Sequence, residues 1–315
     1  MADSSGAVAG PTAALWYADS TVPIATIQLT FDPYLRLAGQ AVRWETLAVA
    51  GAILLAVLVA GVLAGRQPVP SSGGSSGGSL LRRDDLLFIV LGIVPGAVVG
   101  GRLSYVLIHL DYYQANPGLV ADPASGGLAL TGAVVLGTLT GAYVARLLEE
   151  PLGRWLNVAA VALLLGLGLG KLAEVLGGSG QGVLASTSWA TAYVGPGPWG
   201  VLGPELPAHP AQVYEALGDL LVLLGVLVVG RFGPLRDTDG RRFLAALGGW
   251  AVVRLVVASF WRDALVAGPL RAEQVMDLVV LAGSLVLLVA VTRRRPATIA
   301  ETPPSSGSPA VPPGS

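Results

Sequence analysis

Apolar residues in this chain come in long unbroken runs rather than at the spacing of half-buried strands or amphipathic helices. Seven runs reach the length of about 20 residues that a helix needs to cross a bilayer core. They lie at roughly 46–65, 86–110, 126–145, 155–178, 211–230, 243–261 and 274–292. The first, TLAVAGAILLAVLVAGVLAG, carries no charge, and the last is interrupted early by Asp277. A transmembrane β-barrel would alternate apolar and polar residues in segments of about ten, and these runs do not. The pattern predicts an all-α integral membrane protein with seven transmembrane helices.

The polar intervals divide the chain further. Residues 1–40 read as an outer N-terminal segment, partly disordered, 41–295 as the seven-helix membrane domain, and 296–315 as a disordered cytoplasmic tail rich in Pro and Ser. The first 40 residues lack a basic stretch followed by an apolar one, so no cleavable signal peptide is expected. The string SSGGSSGGS at 71–79 reads as a flexible linker. The interval 179–210 is long, uncharged apart from Glu205, and holds Trp189, Trp199 and several prolines. Loops of that length are usually either functional or disordered, and the tryptophans favour a structured cap at the outer membrane surface. No internal repeat of the transporter kind is visible.

Composition narrows the function classes. Of 315 residues, 53% are hydrophobic and 12% charged, with a mean hydropathy of +0.68. A soluble domain carries about 25% charged residues, so a soluble enzyme is excluded. The net charge of −1 offers no basic field for nucleic acid. With no cysteine, disulfides, thiolate metal sites and a cysteine nucleophile are ruled out. His109 and His209 are the only histidines, which argues against a multi-histidine metal centre. Neither metal nor cofactor is expected. Lys and Arg are unevenly spread: 12 lie in the loops 66–85, 146–154 and 231–242 and in the tail, against 4 in the intervals on the other side. The positive-inside rule then puts the C-terminus in the cytoplasm and the N-terminus outside, as an odd number of spans requires.

Three of the 19 basic residues, Arg102, Lys171 and Arg254, fall inside spans. Each costs about 2.5–3.5 kcal/mol at a bilayer centre unless something compensates it. They lie seven or eight residues from the outer ends of spans 2, 4 and 6, at one shared level about 10–12 Å deep. Such a level suits an anionic lipid headgroup, and arginine donates to phosphate in pairs. Internal pairing is the alternative: Lys171 with Glu174, three residues on, and Arg254 with Glu215 or Asp219. The stretch GLGLGK at 166–171 mimics a phosphate-binding loop, but no strand precedes it, and glycines in a span serve close helix packing. Gly100-Gly101 reads the same way. Tyr105 shares a face with Arg102 and would ordinarily anchor at the interface. His209 opens HPAQVYEA and would ordinarily cap or contact a loop.

Several strings together resemble the prolipoprotein diacylglyceryl transferase family over about residues 24–292. They are VRWETLAVAGAIL (42–54), GGRLSYVL (100–107), GGLALTGA (126–133), LGLGLGKLAEVLGGSGQG (165–182), PWGV (198–201), HPAQVYEA (209–216) and RLVVASFWRD (254–263). The resemblance implies a bacterial inner-membrane enzyme that moves a diacylglyceryl group from phosphatidylglycerol to the lipobox cysteine of prelipoproteins. It implies Arg254 as catalytic, and Lys171, Arg102, Tyr105, His209, Gln212 and Glu215 as substrate-binding; the thiol also needs a base, and by depth Glu174 is preferred for it, then Glu215, then His209. The signature departs from the family in span 4, where Gly-Arg-x-x-Asn becomes Gly170-Lys171-Leu172-Ala173-Glu174. Thr131 stands at a frequent family histidine, Asn157 at an aspartate and Ala258 at a glutamate. These departures keep two other readings open: a non-catalytic relative that binds anionic lipid or lipopeptide, and a small transporter. A topology reporter near Gly195 should read outside and one after Arg295 inside; an even number of spans would overturn the scheme.

Overall fold

Each apolar run winds into a helix because a backbone inside lipid must satisfy its own hydrogen bonds. A computed structural model describes residues 26–66 and 83–293, except 123–124, 202, 234 and 236–238. The linker 71–79, the tail 296–315 and the first 25 residues lie outside the described residues. The helices are α1 Trp44–Ala64, α2 Arg83–Ile108, the short α3 Leu110–Ala115, α4 Leu130–Leu147, α5 Leu152–Glu174, α6 Ala211–Phe232, α7 Arg241–Val257 and α8 Ala272–Arg293. All but α3 are long and apolar enough to cross a membrane, giving seven candidate spans.

Backbone bonds gather one end of the bundle. Ala129 N–H donates to Gly101, Gly182 to His209 and Val183 to Phe260, and the Arg271 side chain donates to Ala258. This is the cap end. The interval 179–210 folds over it: β4 Thr191–Tyr193 pairs in parallel with β1 Ile27–Leu29, so the N-terminal segment is stitched into the cap. Trp199 packs edge-on to Phe31 at 5.2 Å and tilts against Tyr193 at 4.7 Å. Two hairpins, β2 Tyr34–Leu37 with β3 Gln40–Arg43 and β5 Leu265–Ala267 with β6 Leu270–Arg271, lead into α1 and α8.

Helix contacts are made by small residues, as expected where lipid removes the usual hydrophobic drive between helices. In α1 the buried positions are Ala52, Ala56, Ala60 and Ala64, while Ile53, Leu54, Leu55 and Leu58 are exposed. The larger core cluster, with Leu164, Leu223, Phe243 and Trp250, joins α5, α6 and α7. The glycines of span 4 serve packing where they touch a neighbour: a Cβ on Gly166 would lie 3.3 Å from Ala56, and one on Gly168 3.1 Å from Leu220. An apolar cavity of about 420 Å³ lies between α1, α2, α4 and α5. It runs from Leu86 and Trp155 to Leu130 and Leu167, near the cap end.

Several spans end earlier than hydropathy suggests. Span 3 starts at Leu130 because Gly126 takes φ +120°. Span 4 stops at Glu174, and Gly178 and Gly180 take φ of +80° and +74° in the turn that follows. The tightest crossing joins α2 and α4, where a Cβ on Gly100 would meet the Gly132 carbonyl oxygen at 2.2 Å and one on Gly132 the Gly100 oxygen at 2.2 Å. Gly100→Ala should therefore lower the thermal unfolding temperature in detergent, since overpacking costs about 1–3 kcal/mol. Gly283→Ala, with open space around it, should not; equal effects of the two would refute this account of the crossing.

Candidate active site

The charged residues inside the spans sort into two sites. At the first, Arg254 on α7 is 1% exposed and meets three carboxylates. Its Nη1 donates to Glu215 Oε1 of α6 at 3.0 Å, its Nε to Asp277 Oδ1 of α8 at 3.2 Å, and its Nη2 to Glu273 of α8. The guanidinium also sits 5.3 Å from the Trp250 ring centre and 4.8 Å from that of Trp261. Three of the five guanidinium N–H donors are thus engaged, and the faces are covered by aromatic rings that favour a cation.

Lys171 belongs to the same site. Its Nζ lies 3.0 Å and 3.2 Å from the two oxygens of Glu174, one turn on in α5, and 3.3 Å from Glu215 Oε2. Glu215 therefore bridges both cations. Thr131 of α4 donates its hydroxyl to Asp277 Oδ1 at 3.0 Å. Asp219, one turn after Glu215 on α6, is fully buried, and both its oxygens lack a hydrogen-bond partner among the described residues. Two cations and five carboxyl groups from α5, α6, α7 and α8 thus meet at the cap end. The acids hold the cations in a water-poor setting at fixed angles; of the two cations Lys171 is the more accessible, its side chain 14% exposed against 1% for Arg254.

Arg102 goes elsewhere. Its Nε donates to Val120 O at 2.7 Å, and its Nη2 to Leu119 O and Asp122 O, both at 2.8 Å. Its other donors reach Ser125 and Gly127. The expected shared level splits accordingly: Lys171 and Arg254 lie three residues from their helix ends, Arg102 six. Ser104, two residues on and so on the other side of α2, is the one that faces the bundle, meeting Met276 of α8 at 3.1 Å. Arg102 is the organiser of the loop 117–127. Tyr105 helps it, stacking on His109 at 4.2 Å with its ring against Gly126 and Gly127.

The HPAQVYEA string splits across α6. Gln212, fully buried, donates to the Tyr193 hydroxyl at 3.1 Å, and Glu215 faces the cations. Burial pushes the Tyr193 hydroxyl up to about 12. On the opposite face, His209 Nδ1 lies 3.1 Å from the Tyr214 hydroxyl and its ring 4.9 Å from Phe260. With Trp189 they rim a groove between α6 and α7. His209 is thus in neither cation site.

Sequence reasoning brought together Lys171, Glu174, Glu215 and Arg254. It overlooked Glu273 and the pairing role of Asp277. The charge of Asp277 inside an apolar run was the available signal.

A family model described as prolipoprotein diacylglyceryl transferase matches residues 33–290, which include every residue of both sites. The chain belongs to the prolipoprotein diacylglyceryl transferase family. It is similar to phosphatidylglycerol–prolipoprotein diacylglyceryl transferases from Geobacter sulfurreducens (29% identical, covering 84% of this chain and 96% of the relative) and Beijerinckia indica (32%, covering 72% and 80%). The similar protein from Finegoldia magna is 25% identical over 66% of this chain and 79% of its own. In this member of the transferase family Lys171 and Glu174 are partners at the end of span 4.

Removing the guanidinium of Arg254 would leave Asp277 buried without its cation, leave Glu215 with Lys171 alone and take from Glu273 its partner. Arg254→Ala should cost about 3–5 kcal/mol of stability, read as a lower unfolding temperature in detergent. Adding Glu273→Gln should recover part of that loss; an unchanged unfolding temperature for Arg254→Ala would remove Arg254 as the hub.

Proposed function

We propose that this chain transfers the diacylglyceryl group of phosphatidylglycerol to the lipobox cysteine thiol of prelipoproteins. It would do so in a bacterial cytoplasmic membrane, with the cap outside and the C-terminus in the cytoplasm. The observation that carries the reading is the pair of cations beneath the cap, Lys171 and Arg254, of which Lys171 is held by an accessible carboxylate. Family membership and the names of the relatives point the same way.

The chemistry is alkyl transfer. The thiolate, not the thiol, is the nucleophile. Sulfur attacks the glyceryl carbon that bears the phosphate, the carbon–oxygen bond breaks, and the electron pair leaves with glycerol phosphate. Charge grows on the phosphate, so cations already aimed at it lower the barrier. The lipid phosphate competes with Glu174 for Lys171, and the freed Glu174 carboxylate takes the thiol proton. Arg254, held by Glu215, Glu273 and Asp277, adds fixed positive charge beside the phosphate site without leaving its partners. Glu215 holds both cations in register, and Gln212 fixes Tyr193 above them. Arg102 and Tyr105 hold the backbone at 119–122 and 125–127, and His209 lines the lateral groove between α6 and α7. The apolar cavity between α1, α2, α4 and α5 accepts an acyl chain.

Purified protein with phosphatidylglycerol and a lipobox peptide should release glycerol phosphate. Lipid binding without release would favour the non-catalytic relative, in keeping with the loss of the paired donors of arginine at Lys171. Lys171→Arg alone should change turnover little, because Glu174 would hold the new guanidinium. Lys171→Arg with Glu174→Asn should raise lipid affinity, because no carboxylate on α5 then competes with the phosphate for the cation. A double variant with weaker lipid binding than the wild type would refute the competition between Glu174 and phosphate.

A further inference from the structure

A second carboxylate meets the chamber from the side opposite Glu174. Glu45 stands in the first turn of α1, where an acid ordinarily faces solvent and complements the helix dipole. Here its side chain is only 17% exposed and lies under the cap. A Cβ on Gly177 would come within 1.8 Å of Glu45 Oε2, and one on Gly180 within 2.4 Å of Glu174 Oε2. The turn 177–180 thus lies between the two carboxylates, and its glycines leave room for both. Arg43 fixes the arrangement: its Nη2 donates to the Gly177 carbonyl at 2.9 Å and lies 3.2 Å from Glu45 Oε2.

The Tyr193 hydroxyl reports the same chamber. Burial is the main cause of its rise to about 12, the hydrogen bond from Gln212 works against it, and the charges of Glu45 and Glu174 both add to it. Both carboxylates therefore act on one hydroxyl. Neither histidine offers another base beside the cations, since His209 faces Tyr214 and Phe260 and His109 stacks on Tyr105.

Resting on the transferase reading, we propose that Glu45 is a proton-relay residue, passing the lipobox thiol's proton from Glu174 to the cap surface. The S–H bond breaks as its proton goes to a Glu174 oxygen. The S–C bond forms while the carbon–oxygen bond to phosphate breaks, and the electron pair leaves on glycerol phosphate. Before that displacement the proton passes from Glu174 to Glu45 and out to water beside Arg43, whose side chain is 31% exposed. Glu174 returns as a carboxylate and Lys171 regains its partner when product leaves.

A nucleophile that needs no base isolates this role. A lipobox peptide with selenocysteine in place of cysteine presents a selenol already ionised at neutral pH. Glu45→Gln should lower kcat/KM for the cysteine peptide by about tenfold or more, in the range of a lost acid–base step. It should change kcat/KM for the selenocysteine peptide by less than about twofold. Glu45→Asp should retain most of the cysteine activity. The ratio of the two peptides is taken within one protein preparation, so partial misfolding does not imitate the result. Equal losses on both peptides, or no loss on the cysteine peptide, would overturn the relay. A wild type that releases glycerol phosphate with neither peptide would instead defeat the transferase reading, and the relay with it.

Discussion

The burial of the Arg254 guanidinium constrains everything around it. A cation 1% exposed in the middle of an apolar bundle is tolerable only if its charge and donors are met at short range. Meeting them takes Glu215 from α6 and Glu273 and Asp277 from α8, with Trp250 and Trp261 over its faces. Those partners fix the rotation of three helices about their axes. Thr131 adds α4 through Asp277, and Lys171 adds α5 through Glu215. Small residues set how closely the helices approach, but alanine and glycine stripes slide past one another easily. The ionic hub is what specifies register.

The cap answers a different problem. Cations near the end of a span need cover from water to act strongly, yet a lipid and a peptide must reach them. The parallel β1–β4 pair, the Trp199 packing and the Arg43 bond to Gly177 hold the cover in place. Below it, the glycine turn lets backbone approach two carboxylates closely. Arg102 solves the equivalent problem for the loop 117–127, substituting for the hydrogen bonds that a strand would have provided.

The seven spans were legible because a membrane helix leaves a composition signal that tertiary contacts hardly disturb. Charges inside those spans were legible for the same reason, and six of them, Lys171, Glu174, Glu215, Asp219, Arg254 and Asp277, do gather at one site. Glu273 and Glu45 were not, because each stands in the first turn of a helix, where acids are commonplace. Only the fold reveals that one points at Arg254 and the other lies under the cap. Arg102 was misgrouped for a related reason: its partners are backbone carbonyls, which carry no residue identity. Its apparent depth matched that of Lys171 and Arg254 only because hydropathy extended spans 4 and 6 beyond their helices.

The Lys171–Glu174 pair suits the exchange proposed for the lipid phosphate. An arginine at position 171 would face Glu215 and, with Glu174 beside it, would have its donors taken by carboxylates. A lysine presents a compact charge on a flexible stem, able to leave Glu174 for an incoming phosphate while keeping its contact with Glu215. On the proposed mechanism, the exchange would free a carboxylate only once the lipid is bound, so base and leaving-group cation would become ready together. In a site with five carboxyl groups and two cations, that ordering matters more than the strength of any one contact. A phosphate arriving among unyielding acids would meet net repulsion, whereas one that displaces a movable acid from Lys171 exchanges one anion for another.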